Sequence, residues 1–358
     1  MGAHNIAVVG GDGIGPEVIA AGCRVLECLS DVEAGLSFSF QRFDWGSDYY
    51  RHKGRMMPED GLAQIAGFDA IYFGAVGDPN LPDDLTLWGL RLAICQGFDQ
   101  YANVRPSKLL PGVVGPLRPE LGAGIDWVIV RENSEGEYAG VGGRAHRGLP
   151  IEVGMDVAVF TRSGIERIAR YACDLARSRP RKLLTIVTKS NAQRHGMVLW
   201  DDVCKEVIRD YPGLTVDWML VDAMTQRMVN KPASIDTVLA TNLHADILTD
   251  LAAALSGSLG LGATANIDPS RKHPSMFEPI HGSAFDITGK GIANPLASFW
   301  TAALMLDHLG EAKSSARLMA AIETVTSRRE VVPPDLGGKA TTRQVTDAVI
   351  SAIRGANA

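Results

Sequence analysis

Three aspartates in the second half of the chain could together hold a metal ion. Asp246 and Asp250 stand four residues apart in HADILTD, which places both carboxylates on one face of a helix, and Asp222 follows a β-branched run in VDAM. If the sheet topology brings Asp222 alongside, the three form an oxygen-only site that suits Mg²⁺ or Mn²⁺ better than zinc. On spacing alone, solvated acids that flank a helix are the commoner explanation.

Basic residues stand where three predicted strands end: Arg105 in YANVRP, Arg131 in VIVREN and Lys189 in IVTKSN. Ligands of α/β sheets bind beyond the carboxyl ends of the strands. The planar arginine fork grips a carboxylate, and a lysine beside a metal can act as a base. Tyr138, in a glycine-rich segment, is a candidate proton donor. Taken singly, the basic residues would more often make surface salt bridges and the tyrosine a packing contact.

The elements that must position these residues alternate between short β-branched runs and longer amphipathic stretches, which predicts an α/β fold around a mainly parallel sheet. The predicted strands and helices cover 5–10, 16–30, 69–74, 84–96, 125–131, 151–161, 165–176, 182–188, 214–221, 237–241 and 244–255. A glycine-rich hairpin is expected around 138–148. The stretch 257–290 is predicted to be a long loop, and a loop of that length in a compact domain is expected to bind something.

The N-terminal turn GGDGIGPE follows the first predicted strand and invites comparison with dinucleotide-binding turns. Gly11, Gly13 and Gly15 do not fit G-x-G-x-x-G, because Pro16 occupies the third glycine position. The Rossmann fingerprint is therefore rejected. The turn is expected either to approach a ligand closely or only to reverse the chain.

Composition excludes several classes of protein. The 358 residues carry 35 Lys and Arg against 41 Asp and Glu, a net charge of −6, which gives no basic footprint for nucleic acid or an anionic membrane. The most apolar helix-like stretch, 296–306, is too short to span a bilayer, and the N-terminus lacks signal-peptide features. Five cysteines without a C-x-x-C pair indicate reduced thiols. These features predict a cytoplasmic, two-domain enzyme without nucleic-acid or membrane partners.

Seven motifs run in one order along the chain: GDGIGPE at 11–17, NVRP at 103–106, VREN at 130–133, TKSN at 188–191, VDAM at 221–224, HADILTD at 244–250 and FEPIHGSAFDITGKGIANP at 277–295. Through them the whole chain resembles the β-decarboxylating dehydrogenases, the family of isocitrate, 3-isopropylmalate, tartrate and D-malate dehydrogenases. The resemblance implies an isopropylmalate/isocitrate dehydrogenase-like two-domain fold. Residues 1–100 plus 258–358 would bind the cofactor, and 101–257 would serve substrate, metal and dimerisation.

The resemblance implies a role for each matching catalytic residue. Asp222, Asp246 and Asp250 would hold Mg²⁺ or Mn²⁺ against the substrate hydroxyl and its neighbouring carboxylate. Lys189 would help to remove the hydroxyl proton, and Tyr138 would protonate the product enolate. Lys189 and Asp222 would come from the partner subunit, because active sites of this family are completed across a homodimer.

Two further sets of residues would hold substrate and cofactor. Arg105 and Arg131 would bind a substrate carboxylate. The implied dinucleotide-binding residues are His281, Gly282, Ser283, Ala284, Asp286 and Asn294. Asp286 favours NAD over NADP, because a carboxylate accepts hydrogen bonds from a ribose 2′-hydroxyl and repels a 2′-phosphate. The implied cofactors are thus NAD with Mg²⁺ or Mn²⁺, and a requirement for K⁺ stays open.

Within the family, LTLWGLRLAICQGFDQY at 85–101 is similar to the tartrate and D-malate dehydrogenases, as is the pair Leu87 and Trp88. Trp88 is accordingly a candidate substrate-binding residue. Thr86 and the apolar residues after it match isocitrate enzymes poorly. The expected reaction is oxidation of tartrate or D-malate, with or without decarboxylation, and 3-isopropylmalate is the alternative substrate.

Two positions depart from the family pattern. The family arginine ten residues before Arg105 is replaced by Cys95. Arg91, one helical turn earlier, shares a face with Cys95, and our hypothesis is that Arg91 supplies the missing charge to the substrate. The alternative is that Arg91 is a surface residue beside a site that has drifted. Phe285 stands where relatives have proline, which would reshape the cofactor loop.

Two other functions compete with the dehydrogenase. Cys95 raises the possibility of a catalytically silent homologue that binds a dinucleotide or a diacid. The retained Lys189, Arg131 and Tyr138 count against it. The carboxylates alone also fit a metal phosphohydrolase, which would release phosphate without NAD.

Overall fold

The β-branched runs of the sequence form strands in a computed structural model of the protein, which describes residues 2–355. Twelve strands are described: β1 (Ala3–Gly11), β2 (Ser37–Phe43), β3 (Ala70–Ala75), β4 (Ala102–Lys108), β5 (Asp126–Glu132), β6 (Gly136–Ala145), β7 (Val153–Val159), β8 (Leu183–Thr188), β9 (Thr215–Leu220), β10 (Thr237–Ala240), β11 (Ala263–Ile267) and β12 (Ser275–Pro279). Ten of them form one sheet, and β6 and β7 pair as a separate ribbon.

The amphipathic stretches form helices on both sides of the sheet. They are α1 (Gly15–Val32), α2 (Ser47–Lys53), α3 (Gly61–Ile65), α4 (Asp83–Thr86), α5 (Leu92–Gly97), α6 (Pro119–Gly122), α7 (Arg162–Ser178), α8 (Gly196–Ile208), α9 (Val221–Asn230), α10 (Asn242–Leu255), α11 (Leu296–His308), α12 (Ala312–Arg328) and α13 (Thr342–Gly355). A π-helical turn over Leu87–Arg91 joins α4 to α5. None of the helices described between residues 2 and 355 is long and apolar enough to cross a membrane.

The large sheet has the strand order β2-β1-β3-β12-β11-β4-β5-β10-β8-β9. Six of its neighbouring pairs are parallel, and the three antiparallel pairs lie together in the middle. The prediction of an α/β fold with a mainly parallel sheet is therefore confirmed. Strands from 3–75 and 263–279 lie on one side of the β11–β4 contact and strands from 102–240 on the other. The division into two domains stays a prediction.

The predicted loop over 257–290 is wrong in its centre, because β11 and β12 lie inside it. Both strands are five residues long and buried along their whole length. Strands buried on both faces read as short apolar runs without alternation, so ATANI and SMFEP carry no period-two signal. The segment without strands is shorter and begins after Pro279.

Two local predictions near the site also need correction. The glycine-rich stretch forms β6 itself, so Tyr138 lies on a strand that pairs with β7 rather than in a turn. The strand predicted over 214–221 ends at Leu220, and Asp222 lies in the first turn of α9. Both side chains therefore project from regular elements, which fix them more firmly than a loop would.

Candidate active site

A cavity of about 230 Å³ opens beside the carboxyl ends of β3, β5 and β12. Its wall is built from the end of β3, the π-turn, β4, β5, β6, α10 and the chain after β12. Eight of the residues predicted from the sequence line it: Arg91, Arg105, Arg131, Tyr138, Asp246, Asp250, His281 and Gly282. The fold thus gathers substrate, metal and cofactor candidates from distant parts of the chain.

Asp246 is the centre of the polar contacts in this cavity. Its Oδ1 accepts a short hydrogen bond from Nη1 of Arg131, and its Oδ2 accepts one from the Tyr138 hydroxyl at 3.0 Å. Nε of Arg131 donates to Oδ1 of Asn242 at 2.8 Å, and the guanidinium stacks on the Tyr138 ring, 5.1 Å from its centroid. Although burial opposes ionisation, Arg131 and Arg105 hold the pKa of Asp246 below its usual value.

Arg105 is the least neutralised cation of the site. Its Nε donates to Oδ1 of Asn103 at 2.9 Å and its Nη1 to Oγ1 of Thr249 at 2.5 Å, so both partners are neutral. The nearest carboxylate oxygen, of Asp246, is 3.5 Å away. Burial and the like charge of Arg131 lower the pKa of Arg105 to about 9. A buried cation in this state attracts an anionic ligand.

Asp250 lies one helical turn after Asp246 and has no salt bridge to any described residue. Partial burial and the like charge of Asp246 raise its pKa. Two neighbouring carboxylates that repel one another are stabilised by a divalent cation between them. This pair therefore fits an Mg²⁺ or Mn²⁺ ion, although two carboxylates do not complete a coordination shell.

The third predicted metal ligand does not join them within one chain. Among residues 2–355, no group of three acidic, histidine or cysteine side chains is close enough to share a metal. The expectation that the topology brings Asp222 alongside is wrong for a single chain. β8 lies between β10 and β9, so the strands that lead into α10 and α9 are about 10 Å apart at the sheet, and Asp222 does not line the cavity that contains Asp246.

Asp222 and Lys189 instead form a pair of their own at the edge of the sheet. Nζ of Lys189 donates to Oδ1 of Asp222 at 2.5 Å, and the Asp222 side chain is 64% exposed. Lys189 lowers the pKa of Asp222, so the carboxylate is ionised at neutral pH. Neither residue lines the cavity of its own chain. Both are presented outward, to solvent or to another molecule.

Arg91 lies inside the cavity wall, at the end of the π-turn. It is 9% exposed, so the alternative that it is a surface residue is wrong. Its Nε and Nη2 both bind Oε1 of Glu278, at 2.8 and 2.7 Å. Burial alone would lower the pKa of Arg91, but Glu278 raises it overall. Cys95 is buried one turn later, and burial raises the pKa of its thiol to about 11.

Trp88 does not line the cavity of its own chain. Its indole ring lies against Gly140 of β6, so closely that a Cβ at residue 140 would come within 2.9 Å of the ring. Leu87, rather than Trp88, lines the cavity. The two residues face different ways because they are neighbours in a helical turn, where successive side chains point to different sides. A role for Trp88 in substrate binding stays a prediction.

The N-terminal glycine turn holds the segment that follows β12. The backbone N–H of Ile14 donates to the carbonyl of Ser283 at 2.8 Å. Gly13 has a φ of +58°, and a Cβ there would lie 1.9 Å from the same carbonyl oxygen. The turn therefore closely approaches the predicted cofactor segment of its own chain, while a close approach to a ligand stays a prediction.

The predicted cofactor residues present unused polar groups. Nε2 of His281 is buried without a hydrogen-bond partner among the described residues, and burial lowers the pKa of the ring, which keeps it neutral. Asp286 is exposed and has no salt bridge within the described chain. Ala284, before Phe285, has a φ of +42°, so this segment is not a regular continuation of β12. Such a segment fits a polar ligand, and Gly282 and Ser283 lie within it.

Asn294 is part of a small polar cluster at the far end of this segment. Its Nδ2 donates to Oδ2 of Asp335 at 3.0 Å, and its Oδ1 accepts from the backbone N–H of Leu296 at 3.0 Å. Asp335 also accepts a hydrogen bond from Ser258. Sequence reasoning missed Asp335 because it stands 41 residues after Asn294, outside the quoted motifs.

Glu278 is the other functional candidate that the sequence analysis missed. It lines the cavity and is 6% exposed. The signal was available, because Glu278 is the acid of the FEPIHG motif and precedes His281 by three residues. Asn266, which donates to Oε1 of Glu278 at 2.9 Å, was also missed. It lies on β11, in the stretch predicted to be a loop.

Comparison with known proteins agrees with this arrangement. A family model described as isocitrate/isopropylmalate dehydrogenase matches residues 5–349. The chain belongs to this family. A probable tartrate dehydrogenase/decarboxylase from Agrobacterium vitis is 66% identical over 357 residues, which is 100% of this chain and 99% of that protein.

Two further relatives extend the comparison. The D-malate dehydrogenase (decarboxylating) of Escherichia coli strain K12 is 46% identical over 360 residues, covering 99% of each chain. A crystal structure of isocitrate dehydrogenase from Methylococcus capsulatus superposes with a TM-score of 0.89 at 34% identity, covering 98% of this chain and 99% of that one. The resemblance stated from the motifs and the family fold are thereby confirmed.

Proposed function

We propose that this protein is an NAD-dependent dehydrogenase that oxidises the hydroxyl carbon of tartrate or D-malate with the help of Mg²⁺ or Mn²⁺. The observation that carries the proposal is the cavity that places Arg105 and Arg131 beside Asp246 and Tyr138, with His281 at its rim. Relatives at 66% and 46% identity are described as acting on tartrate and on D-malate, which supports the same substrate class.

The two arginines bind and orient the substrate. Arg105 has no carboxylate partner closer than 3.5 Å, so a substrate carboxylate would replace the charge that its neutral partners do not supply. Arg131 would exchange part of its contact with Asp246 for a second contact to the same carboxylate. A charge-assisted hydrogen bond of this kind stabilises a complex by about 1.5–3 kcal/mol. Arg91, which also lines the cavity, would contact another part of the substrate.

The acids and Tyr138 serve the chemical step. When bound, a divalent cation supplies stabilisation of negative oxygen, and the dinucleotide accepts a hydride. Asp246 and Asp250 would hold the cation, with Asp222 of a second chain. Burial and Asp246 raise the pKa of the Tyr138 phenol, which therefore keeps its proton at neutral pH. It can donate that proton to the enolate that remains if CO₂ is lost.

We infer that Lys189 takes the proton from the substrate hydroxyl in the site of a partner subunit. It is paired with Asp222, and neither residue lines the cavity of its own chain that contains Arg105. Two copies related by a twofold axis would each present this pair to the other. A homodimer thus completes both sites. The contacts of the described residues give no support for a K⁺ requirement.

The ribbon of β6 and β7 supports the dimer independently. Its outer part is solvent-exposed in one chain although it carries a row of large apolar side chains: Val141, Leu149, Ile151, Val153, Met155 and Val157. A two-stranded ribbon is marginally stable on its own in water, and exposed apolar rows mark contact surfaces. A second copy of the ribbon matches this surface in length and polarity. Tyr138 lies on the same ribbon, which couples dimerisation to the site.

We propose NAD rather than NADP as the cofactor, held by the chain from His281 to Asn294. Asp286 is exposed without a cationic partner among the described residues, and it would accept hydrogen bonds from a free ribose and repel a 2′-phosphate. His281, in the same segment, offers a ring nitrogen without a hydrogen-bond partner in the described chain. An Asp286→Asn variant should therefore narrow the preference for NAD over NADP.

A cytoplasmic location is consistent with the thiols. All five cysteines are unpaired and buried. Proteins of oxidising compartments commonly use cysteines as disulfides, and cytosolic proteins keep them reduced. We therefore propose that the enzyme works in the cytoplasm.

The proposal is tested by following NADH formation with Mn²⁺ and NAD⁺ on tartrate stereoisomers, D-malate, 3-isopropylmalate and isocitrate. We expect turnover on tartrate or D-malate, its loss with EDTA, and little activity with NADP⁺. Turnover only on 3-isopropylmalate or isocitrate would overturn the substrate class. NADH binding without turnover on any of the acids would show a catalytically silent homologue.

A further inference from the structure

Arg91 and Glu278 form an ion pair that uses only part of each side chain. Oε1 of Glu278 accepts hydrogen bonds from Nε of Arg91 at 2.8 Å and from Nδ2 of Asn266 at 2.9 Å, and it forms an ion pair with Nη2 of Arg91 at 2.7 Å. Among residues 2–355, no group binds Oε2 of Glu278 or Nη1 of Arg91. Both residues line the cavity. One acceptor oxygen and one donor nitrogen therefore remain without a partner in the described chain, on two residues that line the cavity.

The pair is held in place by a buried amide network. Oδ1 of Asn266 accepts hydrogen bonds from Asn103 at 2.7 Å, from Asn133 at 3.0 Å and from Arg91 at 3.3 Å. Asn103 also accepts from Arg105 at 2.9 Å. One continuous set of hydrogen bonds thus fixes the Arg91–Glu278 pair relative to the arginine that is proposed to bind a carboxylate. Such preorganised polar groups discriminate strongly between ligands.

We propose that the Arg91–Glu278 pair recognises the second hydroxyl group of a dihydroxy dicarboxylate, and so makes tartrate the preferred substrate over D-malate. A hydroxyl is a donor and an acceptor at once, so it can give its hydrogen to Oε2 of Glu278 and accept one from Nη1 of Arg91. This inference rests on the proposed function, because it assumes that Arg105 holds a substrate carboxylate in the same cavity.

The same pair disfavours the other substituents found on related acids. An alkyl group placed here would leave a buried donor and a buried acceptor without partners. A further carboxylate would meet the negative charge of Glu278, whose neighbour Arg91 is already neutralised. A methylene group, as in D-malate, is tolerated only if a water molecule takes the place of the hydroxyl. The pair thus ranks a hydroxyl first among these groups.

The replacement of the family arginine by Cys95 changes the charge of the cavity. Cys95 is buried and brings no charge to the cavity. Arg91 stands one turn earlier but is tied to Glu278, so it does not restore a free cation. The cavity has exchanged a cation for a neutral donor and acceptor pair. This change favours a polar uncharged group over a charged one at that end of the substrate.

The experiment compares kcat/KM for the best tartrate stereoisomer and for D-malate in the wild type, Glu278→Gln and Arg91→Lys. We expect the wild type to favour tartrate, and each variant to lower the tartrate to D-malate ratio by roughly tenfold, the effect of one charge-assisted hydrogen bond. Arg55→Lys and Glu59→Gln, which alter an exposed ion pair outside the cavity, should leave the ratio unchanged.

Binding measured by calorimetry with Mn²⁺ and without NAD separates a substrate contact from a cofactor contact. The variants should weaken tartrate binding and leave D-malate binding nearly unchanged. An unchanged ratio, or a higher KM for NAD with both substrates equally, would overturn the inference. A wild type that oxidises D-malate faster than every tartrate would overturn it while leaving the proposed function intact, even if a variant failed to fold. No oxidation of either acid would instead refute the proposed function.

Discussion

Two acidic regions of this enzyme are built in opposite ways. Asp246 on α10 lies in a cavity, where Arg131 and Tyr138 hydrogen-bond both its oxygens. Asp222 on α9 is 64% exposed and has only Lys189 as a side-chain partner among the described residues. The first region, here called the inner region, is organised inside one chain. The second, the outer region, has the residue types of a catalytic group but does not line that cavity, so its proposed role requires a second chain.

The largest expected effects come from removing one carboxylate from either region. Asp246→Asn and Asp222→Asn should each lower kcat/KM by about 10³-fold, because each removes a charge from the stabilisation of the reacting oxygen. The variants should differ in the free protein. Asp246→Asn leaves Arg131 without its buried carboxylate and should lower the melting temperature, whereas Asp222→Asn should not. Steady-state kinetics and thermal unfolding in EDTA check both statements, and full activity of Asp222→Asn would refute the role of the exposed region.

A smaller effect is expected from the proton donor of the inner region. Tyr138→Phe keeps the ring beneath Arg131 but removes the hydroxyl that donates to Asp246. We expect a loss of about 10²-fold in the step that protonates the product, the usual contribution of a general acid. Product analysis should show this as a change in decarboxylated product, with substrate binding retained. Tyr211→Phe, at a tyrosine outside the cavity, serves as the control; equal kinetics for the two variants would exclude the proposed role.

A third prediction concerns the surface that joins the two regions. Ile151→Asp combined with Met155→Asp places charges on the exposed row of the β6–β7 ribbon. The dimer should dissociate, and activity should fall more than about tenfold at low protein concentration because the outer region is lost from each site. Light scattering and activity measured across a dilution series check this. Val114→Asp, which is equally exposed but outside the ribbon, should have no effect; a monomeric double variant with full activity would contradict the shared site.

The smallest expected effect concerns Asp250 and the pH dependence of stability. The pKa of Asp250 is raised in the metal-free protein, so its ionisation disfavours folding. The favourable contribution of the protonated carboxyl to folding stability is complete at acid pH and is lost as the pH rises through the raised pKa. Asp250→Asn should therefore stabilise the EDTA-treated protein near neutral pH by roughly 0.5 kcal/mol, since solvent screens the effect. The gain should vanish at acid pH and reverse in saturating Mn²⁺. Denaturant unfolding at two pH values checks it; a loss of stability in EDTA would show that Asp250 has an unseen cationic partner.

The sequence predicted the inner region better than the fold around it. Helical spacing is a local rule, so the sequence directly predicted Asp246 and Asp250 on one face of α10. The order of the motifs predicted that Arg105 and Arg131 would lie in the same site. The strands β11 and β12 could not be read, because burial on both faces removes their alternation. Because these strands were not predicted, Asn266 and the hydrogen-bond network that holds Glu278 were missed.

The outer region shows the opposite limit of sequence reasoning. The residue types at Lys189 and Asp222 indicated a base and a metal ligand, and the family resemblance placed them in the partner's site. Strand order decides whether they can join Asp246 within one chain, and strand order depends on long-range pairing that spacing along the chain does not encode. The position of Arg91 was predicted from helical spacing, but its neutralisation by Glu278 required the folded structure.

Mixing two inactive variants tests the central claim most directly. Asp246→Asn and Asp222→Asn subunits are co-expressed with different tags, and the heterodimer is isolated and assayed. If each site combines Asp246 of one chain with Asp222 of the other, the heterodimer contains one intact site and one doubly altered site. The isolated heterodimer of a twofold-symmetric dimer should therefore regain about half of wild-type activity. Activity no higher than that of either parent, in a heterodimer shown to form, would mean that each chain builds its site alone and would contradict the account.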